Sequence, residues 1–256
     1  MIEQLFTLQG KTALITGGGK GIGAMMTQGL IESGADVIIA SRSLETCEAF
    51  AAEMNKLGKG KCTAMTVDLS SIENINSFAE KLGDEVGHLD ILINNSGASW
   101  GAPLEDYPEQ GWDKVMDLNV KAVFFLTKSL LPLLKKNANQ ENPSRIVMIS
   151  SVAAVSPDSM MAYSYGPSKA AVKQLGKELA KDLVSDHILV NTIGPAVFES
   201  NMTKAFDMKQ MAAMHPVGRI GKPTDIAGLA IFLCSKASSF MTGTYIPLDG
   251  GFLLRS

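Results

Sequence analysis

Tyr165 and Lys169, in the run Tyr165-Gly166-Pro167-Ser168-Lys169, put a phenol and an ammonium four residues apart, the spacing that shares one helix face. Pro167 is tolerated in a helix's first turn, which places the pair near a helix start. Free tyrosine titrates near ~10, too high to exchange protons readily at neutral pH. A lysine cation within roughly 4–6 Å favours the phenolate and lowers that value. Such a pair gives a proton to a carbonyl or takes one from an alcohol. Upstream, Ser150 and Ser151 close a β-branched run, where a hydroxyl can hydrogen-bond a substrate carbonyl. Plainer readings exist for each: most Tyr-x-x-x-Lys spacings are surface pairs, and turn or capping duty suits one of the serines.

A glycine-rich segment, Thr16-Gly17-Gly18-Gly19-Lys20-Gly21-Ile22-Gly23, follows the first β-branched run. Gly17, Gly21 and Gly23 would let backbone amides approach a pyrophosphate at the start of the next helix, where the dipole favours anions. The standard dinucleotide-loop spacing fits only as Gly19-x-Gly21-x-x-Ala24, and glycines alone equally describe an empty tight turn. The loop's place between a strand and a helix favours binding. The second run ends at Ala40-Ser41-Arg42, without the acid that would hold a ribose 2′-hydroxyl. Arg42 there, with Lys20 in the loop, suits a 2′-phosphate, so NADP(H) is favoured over NAD(H). The alternative is two solvated surface cations.

The elements that must carry these groups alternate along the chain. Short apolar runs lie at 12–15, 37–40, 63–67, 91–93, 145–149, 188–190 and 245–248, most nearly continuous, as in parallel strands covered on both faces. Between them lie helical spacings such as Val172, Leu175, Leu179 and Leu183. The pattern predicts an α/β, doubly wound Rossmann fold, with a parallel seven-stranded sheet and helices on both faces. No Pro, Gly or Ser linker interrupts it, so one domain over residues 1–256 is expected.

A formal net charge of −3, from 23 basic and 26 acidic residues, argues against a general nucleic-acid binder. Cys47, Cys62 and Cys234 form no CxxC and no even framework, which fits a reducing compartment. The start has no basic region followed by an apolar one, and the greasiest stretch, 122–134, is broken by Thr127, Lys128 and Ser129. A cytoplasmic protein with no membrane span is expected. His88, His187 and His215 fall in three regions without metal-ligand spacing, so no metal site is predicted.

Taken together, the motifs resemble the short-chain dehydrogenase/reductase family over essentially the whole length. Asp68-Leu69 resembles the family's adenine-contacting pair, and Asn94-Asn95-Ser96-Gly97 its Asn-Asn-Ala-Gly segment, with Ser96 in the alanine position. The resemblance implies a catalytic tetrad of Asn119, Ser151, Tyr165 and Lys169, with Asn119 acting through ordered water. Ser151 lies 14 positions before Tyr165, one more than the family spacing, which leaves Ser150 open. It also implies cofactor contacts at Gly17, Gly19, Lys20, Gly21, Ile22, Gly23, Ser41, Arg42, Asp68, Leu69, Asn95, Ser96, Gly97, Pro195, Val197 and Ser200, besides Tyr165 and Lys169. Pro195-Ala196 departs from the family's Pro-Gly, and Ser200 stands where a threonine is usual.

Within the family the likeness is to NADPH-dependent β-ketoacyl reductases, especially the rhamnolipid-associated type, on Gly97-Ala98-Ser99-Trp100-Gly101, Tyr163 to Lys169 and Asp249-Gly250-Gly251-Phe252. Asp186 stands near the position of an arginine that helps dock acyl carrier protein, which weakens a carrier-bound substrate. Segments 99–104, 155–162 and 197–216 should wall the site, with a lid about 196–216. They bring Trp100, Met160, Met161, Phe198, Met202, Phe206, Met208, Met211 and Met214, an adaptable apolar surface or simply lid packing. The expected reaction is NADPH-dependent reduction of a 3-oxoacyl compound to its 3-hydroxyacyl product. A dehydrogenase of a polyol, sugar acid or steroid alcohol, and a non-catalytic NADPH sensor, are the alternatives. A helix from Gly111 to about Leu134, greasy on more than one face, predicts a homodimer or homotetramer.

Overall fold

The structure, a computed structural model, describes residues 2–157, 161–199, 203 and 207–255. Of the residues singled out above, Met160, Ser200, Met202 and Phe206 lie outside these. The elements run in order α1 (Ile2–Phe6), β1 (Thr12–Thr16), α2 (Gly21–Glu32), β2 (Asp36–Ser41), α3 (Leu44–Asn55), β3 (Cys62–Thr66), α4 (Ile72–Val86) and β4 (Ile91–Asn94). Then follow α5 (Glu109–Met116), α6 (Ala122–Lys135), β5 (Ser144–Ile149), α7 (Tyr165–Leu183), β6 (Ile188–Pro195), α8 (Met208–Ala213), α9 (Pro223–Cys234) and β7 (Tyr245–Leu248).

The strands form one seven-stranded sheet in the order β3-β2-β1-β4-β5-β6-β7, every pairing parallel. Side chains alternate between faces, so Ala13 and Ile15 join one core with Met26 and Leu30 of α2 and Ile226 and Leu233 of α9. Leu14 points the other way, into a core with Ile75 and Leu82 of α4, Leu126 and Leu130 of α6 and Val172 of α7. Two buried faces explain the unbroken apolar runs. Strand order reverses between β1 and β4, and such a reversal opens a crevice at the carboxyl ends of the strands.

The stretch expected as one helix from Gly111 is instead three segments. A π-helical turn, Asp117–Lys121, separates α5 from α6 and holds Asn119, which is almost wholly buried. Such widened turns recur at functional sites. Nor is this stretch buried all round within the chain: Trp112 and Phe124 are 42% and 40% exposed.

Candidate active site

α7 begins at Tyr165 itself, so Tyr165 and Lys169 lie one turn apart on its opening face. Lys169 is buried, and its Nζ stands 5.6 Å from the centre of the Tyr165 ring. Nζ donates to the Ile149 carbonyl at 2.9 Å, and no carboxylate pairs with it among the described residues. Burial pushes this ammonium down from its ordinary value to about 8. The pair expected from spacing is therefore assembled, with the lysine still mainly an ammonium at neutral pH.

The two serines separate by their partners. Ser150 Oγ donates to the Lys169 carbonyl at 2.7 Å, tying the end of β5 to α7. Ser151 Oγ accepts from the Ala153 amide at 3.2 Å, capping a short 3₁₀ turn (Val152–Ala154), and reaches the Pro195 carbonyl only at 3.5 Å. A donor bond of that length is weak, so the Ser151 proton is easily redirected. Asn119 spends its whole amide on neighbours. Oδ1 accepts from the Ala98 amide at 2.8 Å, while Nδ2 donates to the Ala98 carbonyl and to Ser168 Oγ, both at 2.9 Å. Gly97 lies between Asn119 Oδ1 and Lys169 Nζ, close enough that an added Cβ would sit 3.2 Å from one and 3.4 Å from the other.

The glycine loop adjoins this cluster. Gly17 has φ +66° and Gly21 φ +52°, left-handed conformations that favour glycine. A Cβ on Gly23 would run into the Gly17 carbonyl, so the helix packs onto the loop at backbone distance. The loop is buttressed from β4: Asn95 Nδ2 donates to the Thr16 carbonyl at 2.8 Å, and Thr16 Oγ1 accepts from the amides of Asn95 and Ser96 at 3.0 Å. No side chain caps the start of α2, where Ile22 follows Gly21. An uncapped helix start lined by glycines is a cradle for an anionic pyrophosphate.

Ser41, Arg42, Asp68, Leu69, Asn95, Ser96, Gly97, Pro195 and Val197 all fall at or just beyond the carboxyl ends of their strands. Lys20 and Arg42 are exposed, and neither is held in an ion pair among the described residues. The donor set fits a phosphorylated dinucleotide. Asp68 is occupied locally, accepting from the Ser70 amide at 3.0 Å.

One expectation is corrected. Phe198, expected on the substrate wall, is a core residue, 2% exposed and packed onto Gly221, whose missing Cβ makes room for the ring. At Pro195-Ala196, the Ala196 amide bonds the Leu248 carbonyl at 3.1 Å. Met161 and Tyr163 are exposed; the Met161 carbonyl accepts from the Ala102 amide at 3.3 Å, and the Tyr163 ring lies edge-on to Tyr107.

Sequence reasoning passed over Tyr107. Its hydroxyl bonds the Trp100 carbonyl at 3.0 Å and Ser164 Oγ at 2.6 Å, joining the 98–107 loop to the residue before Tyr165. The chain has 4 tyrosines, and asking where each phenol finds a partner was the available signal.

This glycine loop and Tyr–Lys helix on a seven-stranded parallel sheet define a dinucleotide-dependent oxidoreductase scaffold, and the chain belongs to the short-chain dehydrogenase/reductase family. The family model described as Enoyl-(Acyl carrier protein) reductase matches residues 17–253. The chain is 49% identical over 254 residues to a rhamnolipids biosynthesis 3-oxoacyl-[acyl-carrier-protein] reductase of Pseudomonas aeruginosa, covering 97% of this chain and 98% of that one. It is 34% identical over 262 residues to a 2-dehydro-3-deoxy-D-gluconate 5-dehydrogenase of Dickeya dadantii, covering both chains fully. A solved Pseudomonas aeruginosa RhlG/NADP active-site complex superposes with a TM-score of 0.93 at 48% identity, over 97% of this chain and 98% of that one.

Proposed function

We propose that this protein is an NADPH-dependent reductase that converts a 3-oxoacyl thioester to the 3-hydroxyacyl product. The observation that carries the chemistry is the buried Lys169, 5.6 Å from the Tyr165 ring and without a carboxylate partner. When bound, the nicotinamide supplies the hydride. Tyr165 gives its proton to the carbonyl oxygen, and the Lys169 ammonium favours the phenolate left behind. Ser151, rather than Ser150, whose hydroxyl is held by the Lys169 carbonyl, turns its hydroxyl from Pro195 to the substrate carbonyl. Asn119 serves a water-linked proton path through the backbone of its widened turn, its side chain being spent on Ala98 and Ser168. Alignment of hydride donor and carbonyl supplies most of the acceleration.

The uncapped start of α2 holds the pyrophosphate, and Lys20 and Arg42 hold the 2′-phosphate. The acyl preference rests on the 49% identical reductase and on the exposed Met161 and Tyr163, which suit an apolar chain better than a sugar acid. The Dickeya relative favours the sugar-acid reading as runner-up. The chain works as one domain, with a substrate lid about 196–216. Exposed Trp112 and Phe124 favour burial against a second copy, in a homodimer or homotetramer. Buried free thiols at Cys47, Cys62 and Cys234 favour a reducing cytoplasm.

The test is the initial rate on a short 3-oxoacyl thioester with NADPH against NADH. A rate with NADPH and little with NADH is expected, and replacing Lys20 and Arg42 together by alanine should raise the NADPH KM about thirtyfold, at ~1 kcal/mol per lost ionic contact. No rate with either nucleotide, despite tight NADPH binding, discards the acyl substrate.

A further inference from the structure

We infer that Tyr245 is a positioning residue for Ser151, reaching it across β6 through the gap that Gly194 leaves. This rests on the assignment of Ser151 above. Tyr245 opens β7, where it pairs with Thr192 of β6. Gly194 is the next β6 position on that face, because side chains repeat every second residue. A Cβ on Gly194 would run into the Tyr245 phenol, so the ring lies over the glycine. From there its hydroxyl donates to the Ser151 carbonyl at 2.9 Å, just past the end of β5. A side chain from β7 therefore touches a residue two strands away, which the intervening glycine alone permits.

The contact fixes the peptide that aims the Ser151 hydroxyl. The Ser151 carbonyl also accepts from the Ala154 amide at 3.0 Å, while Ser151 Oγ accepts from the Ala153 amide. Tyr245 thus braces the same residue from the opposite side of the turn. Lys173 closes the arrangement from above, its Nζ 4.9 Å from the centre of the Tyr245 ring. It lies one helical turn beyond Lys169 on α7, so the helix that carries the Tyr165–Lys169 pair also seats the ring. Burial first, and then the nearby Asp249 carboxylate, push the Tyr245 phenol up to about 12. The hydroxyl therefore keeps its proton, and its donor role, throughout the range in which Lys169 titrates.

The test is a double-mutant cycle of Tyr245→Phe and Ser151→Ala, read as kcat on the 3-oxoacyl thioester, with NADPH binding followed by fluorescence. Tyr245→Phe should lower kcat about fivefold with NADPH affinity unchanged, roughly the effect of one neutral hydrogen bond. In the Ser151→Ala background the same change should have no further effect. Independent effects that multiply would overturn the role of Tyr245 alone. Wild-type kcat in Ser151→Ala would overturn the assignment of Ser151, and the inference with it. A second readout needs no substrate: hydrogen exchange of the Ala153 and Ala154 amides should speed up in Tyr245→Phe, and unchanged protection overturns the inference whatever the substrate. Loss of NADPH binding or of folding in Tyr245→Phe would make the contact a general structural one and also overturn it.

Discussion

Strand β5 has a buried cation at each end, and the two are held in opposite ways. At the amino end Arg145 is 3% exposed. It donates to the carbonyls of Pro143 and Ser235 at 2.8 and 3.1 Å and to Ser239 Oγ at 3.1 Å. At the carboxyl end Lys169 grips the Ile149 carbonyl. Burial lowers both cations from their ordinary values, but only the lysine is brought to about 8. A guanidinium keeps its charge under all working conditions and spans several acceptors with a rigid fork, whereas a buried ammonium yields its proton. The fold places a fixed cation where it needs a staple and a titrating one beside Tyr165, where the proposed reaction moves a proton.

The surroundings sharpen the contrast. Near Arg145, Asp90 accepts from Lys11 at 3.2 Å and the Thr12 amide at 2.9 Å, with His88 Nε2 3.3 Å away, and Lys11 also bonds Asn142. A cavity of about 700 Å³ opens there, lined by Lys11, Asn142, Arg145 and Ser235 among others. Of its charged lining groups, Lys11 is paired with Asp90 and Arg145 is held by carbonyls and a hydroxyl. The carboxyl edge has the uncapped α2 start, the unpaired Lys169 and the weakly bonded Ser151 hydroxyl instead.

Removing the proton donor should give the largest effect. Tyr165→Phe should cut turnover about 10³-fold, within the range for a lost general acid, and leave NADPH affinity nearly intact. Turnover retained in that variant, measured at saturating NADPH, would remove the tyrosine from its role.

Exchanging each β5 cation for methionine comes next and tests the contrast directly. Lys169→Met should lower turnover about 10²-fold, as loss of the electrostatic support for Tyr165, while thermal stability holds or rises because a buried charge is gone. Arg145→Met should leave kcat nearly unchanged and cost about 2 kcal/mol, because it strands buried carbonyl acceptors. Unfolding midpoints and steady-state rates on both variants check this. Equal losses of stability and activity in the two would erase the distinction.

The sheet was legible because parallel strands must bury both faces, and the apolar runs marked all seven of them. The exception in extent is β6, which continues to Pro195 through Asn191 and Thr192. Polar residues there read as a strand end, yet Asn191 is paid off by the Met241 carbonyl and the Thr244 amide at 2.9 and 3.2 Å. Tyr165 and Lys169 were legible because one helical turn joins them. The bonds of Tyr107 and Tyr245 were not, since they close over 57 and 94 residues and depend on how the loops and strands pack. The π-helical turn at Asn119 is likewise set by tertiary bonds to Ala98 and Ser168, which no local spacing records.

The smallest effect concerns pH. Lys169 has a value of about 8 in the fold, against an ordinary 10.5, so the unfolded chain binds the extra proton between those two values. Its contribution to stability therefore rises with pH across that window, and at neutral pH its charge opposes folding. Activity has the opposite sign. Below about 8 the ammonium is present beside Tyr165, and above it the support for the phenolate is lost. The reductive kcat/KM should fall by up to about tenfold per pH unit above that point, as for a single essential protonated group. Lys169→Arg, which keeps its charge, should show a lower maximum but no such limb between neutral pH and the titration of other groups. Arg145→Lys at the other end of β5 should leave the profile where it was. A wild-type profile without an alkaline limb, or one that persists in Lys169→Arg, would mean that the titrating cation lies elsewhere.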